Sequence, residues 1–227
     1  VLLLLHGMGA TSEVWNGLAG ALGGRAWTAP DLPGHGGSAR LPGYAFADVA
    51  EAVAPLVDPA GTVVLGHSFG GAIGLRLAGR PGVRAVVGLG IKVAWTPDEL
   101  ARAGSLAARP PATFATRAEA VARYLRVAGL DGLVDPDGPA VAAGVVESAD
   151  GWRLAFDQRA FGVGDPAVAA LLAAAGDTRV VLARGEHDHM VSTEQLAALV
   201  PDPVVLPGLG HNAHVEDPAA VARIVAP

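Results

Sequence analysis

The hydrophobic positions of this chain fall into two recurring patterns. Short continuous apolar runs occupy residues 1–5, 26–30, 62–65, 83–89, 179–183 and 204–206. Such unbroken runs, rich in Leu and β-branched residues, are expected of strands buried on both faces. Between them, apolar residues recur at spacings of three and four over 18–22, 44–57, 70–80 and 195–200, the mark of helices with one buried face. Asp217-Pro218 reads as an N-cap followed by a first-turn proline, opening a last helix. Strand and helix in alternation predict an α/β chain: a mostly parallel sheet of about six or more strands, covered by helices on both faces.

The alternation breaks once. From about residue 91 to about residue 165 no strand is evident. Two capping boxes, Thr96-Pro97-Asp98-Glu99 and Thr116-Arg117-Ala118-Glu119, announce helices there instead. Trp95, Phe114, Trp152, Phe156 and Phe161 gather in the same stretch. The pattern predicts a core made of residues 1–90 and 166–227, with a helical insertion over residues 91–165 above one edge of the sheet. Long interruptions of this kind usually serve a site.

Composition narrows the possibilities. At 227 residues and 51% hydrophobic, the chain can bury a large core. Its net charge is −6 and its 16 Lys and Arg are scattered, so nucleic acid is not an expected partner. With no cysteine there are no disulfides and no thiolate metal sites. The opening VLLLL ends in His6-Gly7 and is too short for a secretion signal, and no membrane span is expected. The cytoplasm is the default expectation; because the first residue is not methionine, residues are expected to be missing upstream.

Candidate chemistry concentrates in LGHSFGGAIG, residues 65–74. Gly66-His67-Ser68-Phe69-Gly70 fits G-x-S-x-G between an expected strand and an expected helix. A serine at so tight a turn needs neighbours without side chains. The turn lifts its hydroxyl above the sheet at a helix N-terminus, where backbone N–H groups favour developing negative charge. A serine capping a helix beside a tight turn is the plainer reading, but it leaves the double glycine unexplained.

A serine nucleophile needs a base, and the base needs an orienting carboxylate. Of seven histidines, His6 and His67 end strands beside Ser68, and a residue adjacent to the serine projects away from its hydroxyl. His35 is expected at the surface or in loop packing. In GLGHNAHVEDP, His211 is the first residue with reach after the last strand, on a loop that Gly208 and Gly210 are expected to make mobile, with His214 its rival. In RGEHDHMVS, Asp188 is the better orienter, since Glu186 directly follows a glycine and faces the other way. The order Ser68, Asp188, His211 is the one expected on an α/β sheet. Backbone N–H groups of Phe69 and Met8 are the candidate oxyanion donors. His187-Asp188-His189 lacks a third ligand at metal spacing, and no phosphate-loop motif occurs, so no metal or cofactor is expected.

Taken in order, LLLLHGMG, DLPGHGGS, GHSFGG, RGEHDHMVS and GLGHNAHVEDP resemble the motifs of the α/β-hydrolase fold superfamily from end to end. The resemblance implies nucleophile Ser68, acid Asp188 and base His211, and a cap over the acyl pocket formed by the insertion. Serine at the elbow sets the chain apart from subclasses with an aspartate nucleophile. The core most resembles small carboxylesterases, which implies a small-molecule ester substrate and an acyl-serine intermediate. The alternatives are a carbon–carbon bond hydrolase of ring-fission products, for which Lys92 and the insertion's Arg102, Arg109, Arg117, Arg123 and Arg126 are candidate anchors, a cofactor-free perhydrolase, and a catalytically silent binding protein of the same fold.

Overall fold

Four consecutive leucines, Leu2–Leu5, form β1, and their side chains alternate between two cores. Leu2 and Leu4 join Trp15 and Leu18 on one face, while Leu3 and Leu5 join Val49 and Ile73 on the other. That period of two is what lets one strand feed both faces of a covered sheet. The computed structural model describes residues 1–225. The main sheet is parallel throughout, in the order β2 (Trp27–Thr28), β1, β3 (Thr62–His67), β4 (Val83–Leu89), β7 (Arg179–Gly185), β8 (Val204–Leu206). The expected strands all occur, with residues 26–30 reduced to the two-residue edge β2.

Helices α1 (Asn16–Ala21) and α10 (Pro218–Ile224), with the short α9 (Ala213–Glu216), cover the first face. Helices α2 (Phe46–Val53), α3 (Phe69–Leu77), α7 (Val168–Ala173) and α8 (Thr193–Ala197) cover the second. Helix α2 is shorter than its pattern, because Pro55 turns its continuation into a 3₁₀ turn over Ala54–Leu56. Asp217 caps α10 as expected, its Oδ1 accepting from Ala220 N–H at 2.9 Å.

Between β4 and β7 lie α4 (Pro97–Ala107), α5 (Arg117–Ala128) and α6 (Pro139–Gly144). Both expected capping boxes form at Thr96 and Thr116. This stretch is not purely helical, however. Residues 145–154 fold into an antiparallel hairpin of β5 (Val145–Ser148) and β6 (Gly151–Leu154). Each strand has only four residues and neither buries a full face, so neither shows the continuous apolar run that marks the main sheet. The apolar face of α5, through Tyr124 and Leu125, packs in the same core cluster as Leu2 and Trp15. No helix among the described residues is long and apolar enough to cross a membrane.

Candidate active site

Chain order reverses between β1 and β3, so the loops leaving their carboxyl ends diverge and leave a crevice. Ser68 stands there, between the end of β3 and the first turn of α3, with φ 50° and ψ −111°. Only one other non-glycine described residue, Ala167, has positive φ. A backbone so placed is strained, on the order of 1–3 kcal/mol, and persists only where neighbours hold it. Here Ser68 N–H donates to Leu89 O at 2.8 Å, tying the bend to β4. Close approach explains the flanking glycines: a Cβ on Gly66 would strike the Gly70 carbonyl, and one on Gly70 would strike that of Leu5.

Asp188 sits in the turn after β7 with its side chain fully buried. His211 Nδ1 lies 3.0 Å from each of its carboxylate oxygens. The turn is held from below by Arg184, whose guanidinium donates to the carbonyls of Asp188 at 2.8 Å and Glu186 at 3.1 Å. Met190 N–H supplies Asp188 Oδ1 with a further donor at 2.8 Å. Arg184 thus fixes the backbone of the turn, while the Met190 N–H holds the carboxylate itself through Oδ1.

The loop that carries His211 is tied down at several points, although its glycines suggest mobility. His187 N–H donates to Leu209 O at 2.8 Å, and Glu186 Oε2 accepts from Gly208 N–H at 2.8 Å. Glu186 thus braces the loop and makes no hydrogen bond to His211. Glu216 Oε2 accepts from Gly210 N–H at 2.6 Å, and Asn212 Nδ2 donates to Gly129 O at 2.8 Å, joining the loop to the end of α5.

His67, set aside on the sequence because it points away from the serine, has a different task. Its Nε2 lies 2.9 Å from His211 O, a carbonyl that can only accept, so Nε2 carries the proton and donates. Burial, and the His214 and His211 rings beside it, push its pKa well below the ordinary histidine value. His214, the rival base, is buried against Trp15 and His67, and burial lowers its pKa to about 3. His35 is fully buried among His6, Phe69 and Phe156, which corrects the surface alternative in favour of packing. Gly90 was not legible as a site residue. It follows β4 with φ +64°, and a Cβ there would lie 3.0 Å from Asp188 Oδ2 and 3.1 Å from His211 Nδ1.

A cavity of about 480 Å³ opens above these residues. Ser68, His211, Met8 and Phe69 all line it, together with mainly apolar side chains such as Trp95 and Val127 from the stretch between β4 and β7. The Ser68 hydroxyl makes no hydrogen bond to the described residues, and the Met8 and Phe69 N–H groups have no partner among them. The structure therefore joins Asp188 to His211 directly and brings Ser68 to the same cavity without a Ser68–His211 hydrogen bond. Lys92 also lines the cavity, but its charge is matched by Glu99 at 2.9 Å. Arg126 lines it without a carboxylate partner among the described residues, whereas Arg117 pairs with Asp137. No three His, Asp or Glu side chains among the described residues are grouped to hold a metal ion.

Residues 2–224 match the Alpha/beta hydrolase family. Lipase LipV of Mycobacterium tuberculosis is 39% identical over 79 residues, 34% of this chain and 30% of the lipase. The magnesium-chelatase 30 kDa subunit of Rhodobacter capsulatus is 42% identical over 97 residues, 39% of this chain and 34% of that subunit. The match spans about a third of the length of these curated relatives. Among solved structures, an esterase from Mycobacterium tuberculosis superposes with a TM-score of 0.77 at 26% identity, over 99% of this chain and 82% of that one. A thioesterase domain from the curacin biosynthetic pathway superposes with a TM-score of 0.78 at 19% identity, over 98% and 89%. The thioesterase likeness is one of fold alone.

Proposed function

The chain belongs to the α/β-hydrolase family, and from that premise we propose that it is a serine hydrolase cleaving a small carboxylic ester through an acyl-serine intermediate. The observation that carries this reading is the buried Asp188 carboxylate, 3.0 Å from His211 Nδ1 through both oxygens, beside a cavity that Ser68 lines. With Nδ1–H donating to Asp188, the Nε2 of His211 is free to accept a proton. Ser68 Oγ attacks the ester carbonyl carbon as its proton passes to His211 Nε2. The negative charge on the tetrahedral oxygen is met by the unpartnered N–H groups of Met8 and Phe69. The carbon–oxygen bond to the alcohol then breaks, and the alkoxide leaves with the proton from His211. A water molecule attacks the acyl-serine, giving its proton to His211, and collapse of the second tetrahedral adduct releases the acid and returns that proton to Ser68.

In this reading the stretch between β4 and β7 acts as the cap, since Trp95, Val127 and Phe161 wall the cavity. The mainly apolar wall suits an uncharged acyl or alcohol group. Arg126 favours, as a second reading, an acidic substrate of the kind a carbon–carbon bond hydrolase takes. The test compares wild-type protein with Ser68→Ala on p-nitrophenyl butyrate and on a coloured dienol-keto acid. Ester turnover lost in the variant supports the first reading, and dienol decay with negligible ester turnover supports the second. Equal turnover by the two proteins defeats both, and no turnover of either substrate leaves the silent binding protein as the account of the fold.

A further inference from the structure

We propose that an arginine cleft beside the cavity of Ser68 holds an anionic end of the substrate, a phosphate or carboxylate group on the same molecule whose acyl bond meets the serine. The inference rests on the ester-hydrolase reading for the bond that is cut, and on separate observations for the cleft.

The cleft is lined by Arg40, Arg123 and Arg153, and shares Val127 and Phe161 with the larger cavity. The three arginines arrive from different parts of the fold: the loop before α2, helix α5 and strand β6. No carboxylate lines the cleft. The acid nearest at hand, Asp157, is already engaged by Arg159 at 2.6 Å and by the Tyr44 hydroxyl at 2.8 Å, and stands 3.9 Å from Arg40. Arg123 and Arg153 have no carboxylate partner among the described residues, in a chain with 22 acidic and 16 basic side chains. Elsewhere that excess of acid pairs Arg80 with Glu51, Lys92 with Glu99 and Arg117 with Asp137. Three guanidinium groups around one hollow, with no acid lining it, form a local positive field in a protein of net charge −6.

Geometry links this field to the site of chemistry. Arg123 and Arg126 are three residues apart on α5 and so lie on adjacent positions of one helix face, Arg123 on the cleft and Arg126 on the cavity of Ser68. Val127, next in the chain, lines both spaces, as does Phe161. A substrate with its acyl bond at Ser68 that extends along this face of α5 therefore meets positive charge at Arg126 and then at Arg123. The cleft is about 40 Å³, room for one small anionic group and not for a whole ligand. Guanidinium forks match the oxygens of phosphate and carboxylate; Arg123 is partly buried beside Phe114 and Phe156, while Arg40 and Arg153 reach the cleft from the exposed surface.

The test is a ratio, which a general loss of folding does not change. kcat/KM is measured for butyryl-coenzyme A against S-butyryl-N-acetylcysteamine, and for p-nitrophenyl hydrogen glutarate against p-nitrophenyl butyrate. The protein and its Arg123→Gln/Arg153→Gln variant are compared. One anionic ester is expected to be preferred over its neutral partner, with the preference reduced about tenfold or more in the variant, the scale of one lost charge-assisted contact. Preference in the first pair assigns phosphate, and in the second carboxylate. No preference in either pair, or one that survives in the variant, overturns the proposal. If the protein turns over no ester at all, the hydrolase reading fails on its own, and the cleft is judged by calorimetric titration with coenzyme A and with glutarate. Tighter binding to the protein than to the variant upholds it, and equal or absent binding overturns it.

Discussion

Asp188 offers both carboxylate oxygens to His211 Nδ1 at an equal 3.0 Å, from a side chain that is 0% exposed while that of His211 is 16% exposed. The buried acid thus fixes which ring nitrogen carries the proton, and the exposed edge of the ring faces the cavity. Asp188→Asn is expected to keep the fold while allowing an amide N–H to face Nδ1 and reverse the tautomer. The expected loss in kcat on p-nitrophenyl butyrate is on the order of 10⁴-fold, with the melting temperature as the check on folding. A loss confined to KM counts against the assigned role.

Gly90→Ala tests how closely that pair is packed. The new methyl group would stand 3.0 Å from Asp188 Oδ2 and 3.2 Å from His211 Cε1, and φ +64° adds about 1 kcal/mol of backbone strain. Displacing the pair is expected to lower kcat by about 10- to 100-fold. Gly132→Ala is the control, because φ there is +75° but a Cβ meets nothing within 4 Å. It is expected to share the backbone cost and keep its activity.

Buried histidines set the behaviour in acid. Burial lowers the pKa of His6 to about 4 and those of His35 and His214 to about 3, and pushes His67 well below its ordinary value. Between the unfolded pKa near 6.5 and these folded values, the unfolded chain binds more protons than the folded one. Stability is therefore full above about pH 6.5 and falls as pH drops toward 3, by up to about 1.4 kcal/mol per pH unit for each such group. Urea midpoints at pH 7, 6, 5 and 4 are expected to fall with a steepening slope. A flat profile across that range contradicts neutral, buried rings.

Most of this arrangement was legible in the chain. The runs at Leu2–Leu5, Val83–Leu89 and Val204–Leu206 are continuous because the sheet is covered on both faces, and continuity is a local property. The elbow was legible because Gly66 and Gly70 stand where backbone approaches backbone. The hairpin of β5 and β6 was not, since its partly exposed four-residue strands depend on pairing with each other and on the bridge from Phe114 to Trp152. The task of His67 and the place of Gly90 were not legible for a related reason. Their contacts with His211 cross 144 and 121 positions of the chain, and only the folded β-sheet brings those loops together.

The central claim is that Ser68 forms a covalent acyl intermediate, and trapping it is the most direct test. The protein is treated with diethyl p-nitrophenyl phosphate, and its digested peptides are weighed by mass spectrometry. A single diethylphosphoryl adduct on the peptide containing Ser68, accompanied by loss of ester turnover and absent from Ser68→Ala, is the predicted result. Ester turnover that persists after treatment with Ser68 unmodified, or an adduct that inactivates the protein from another residue, contradicts it.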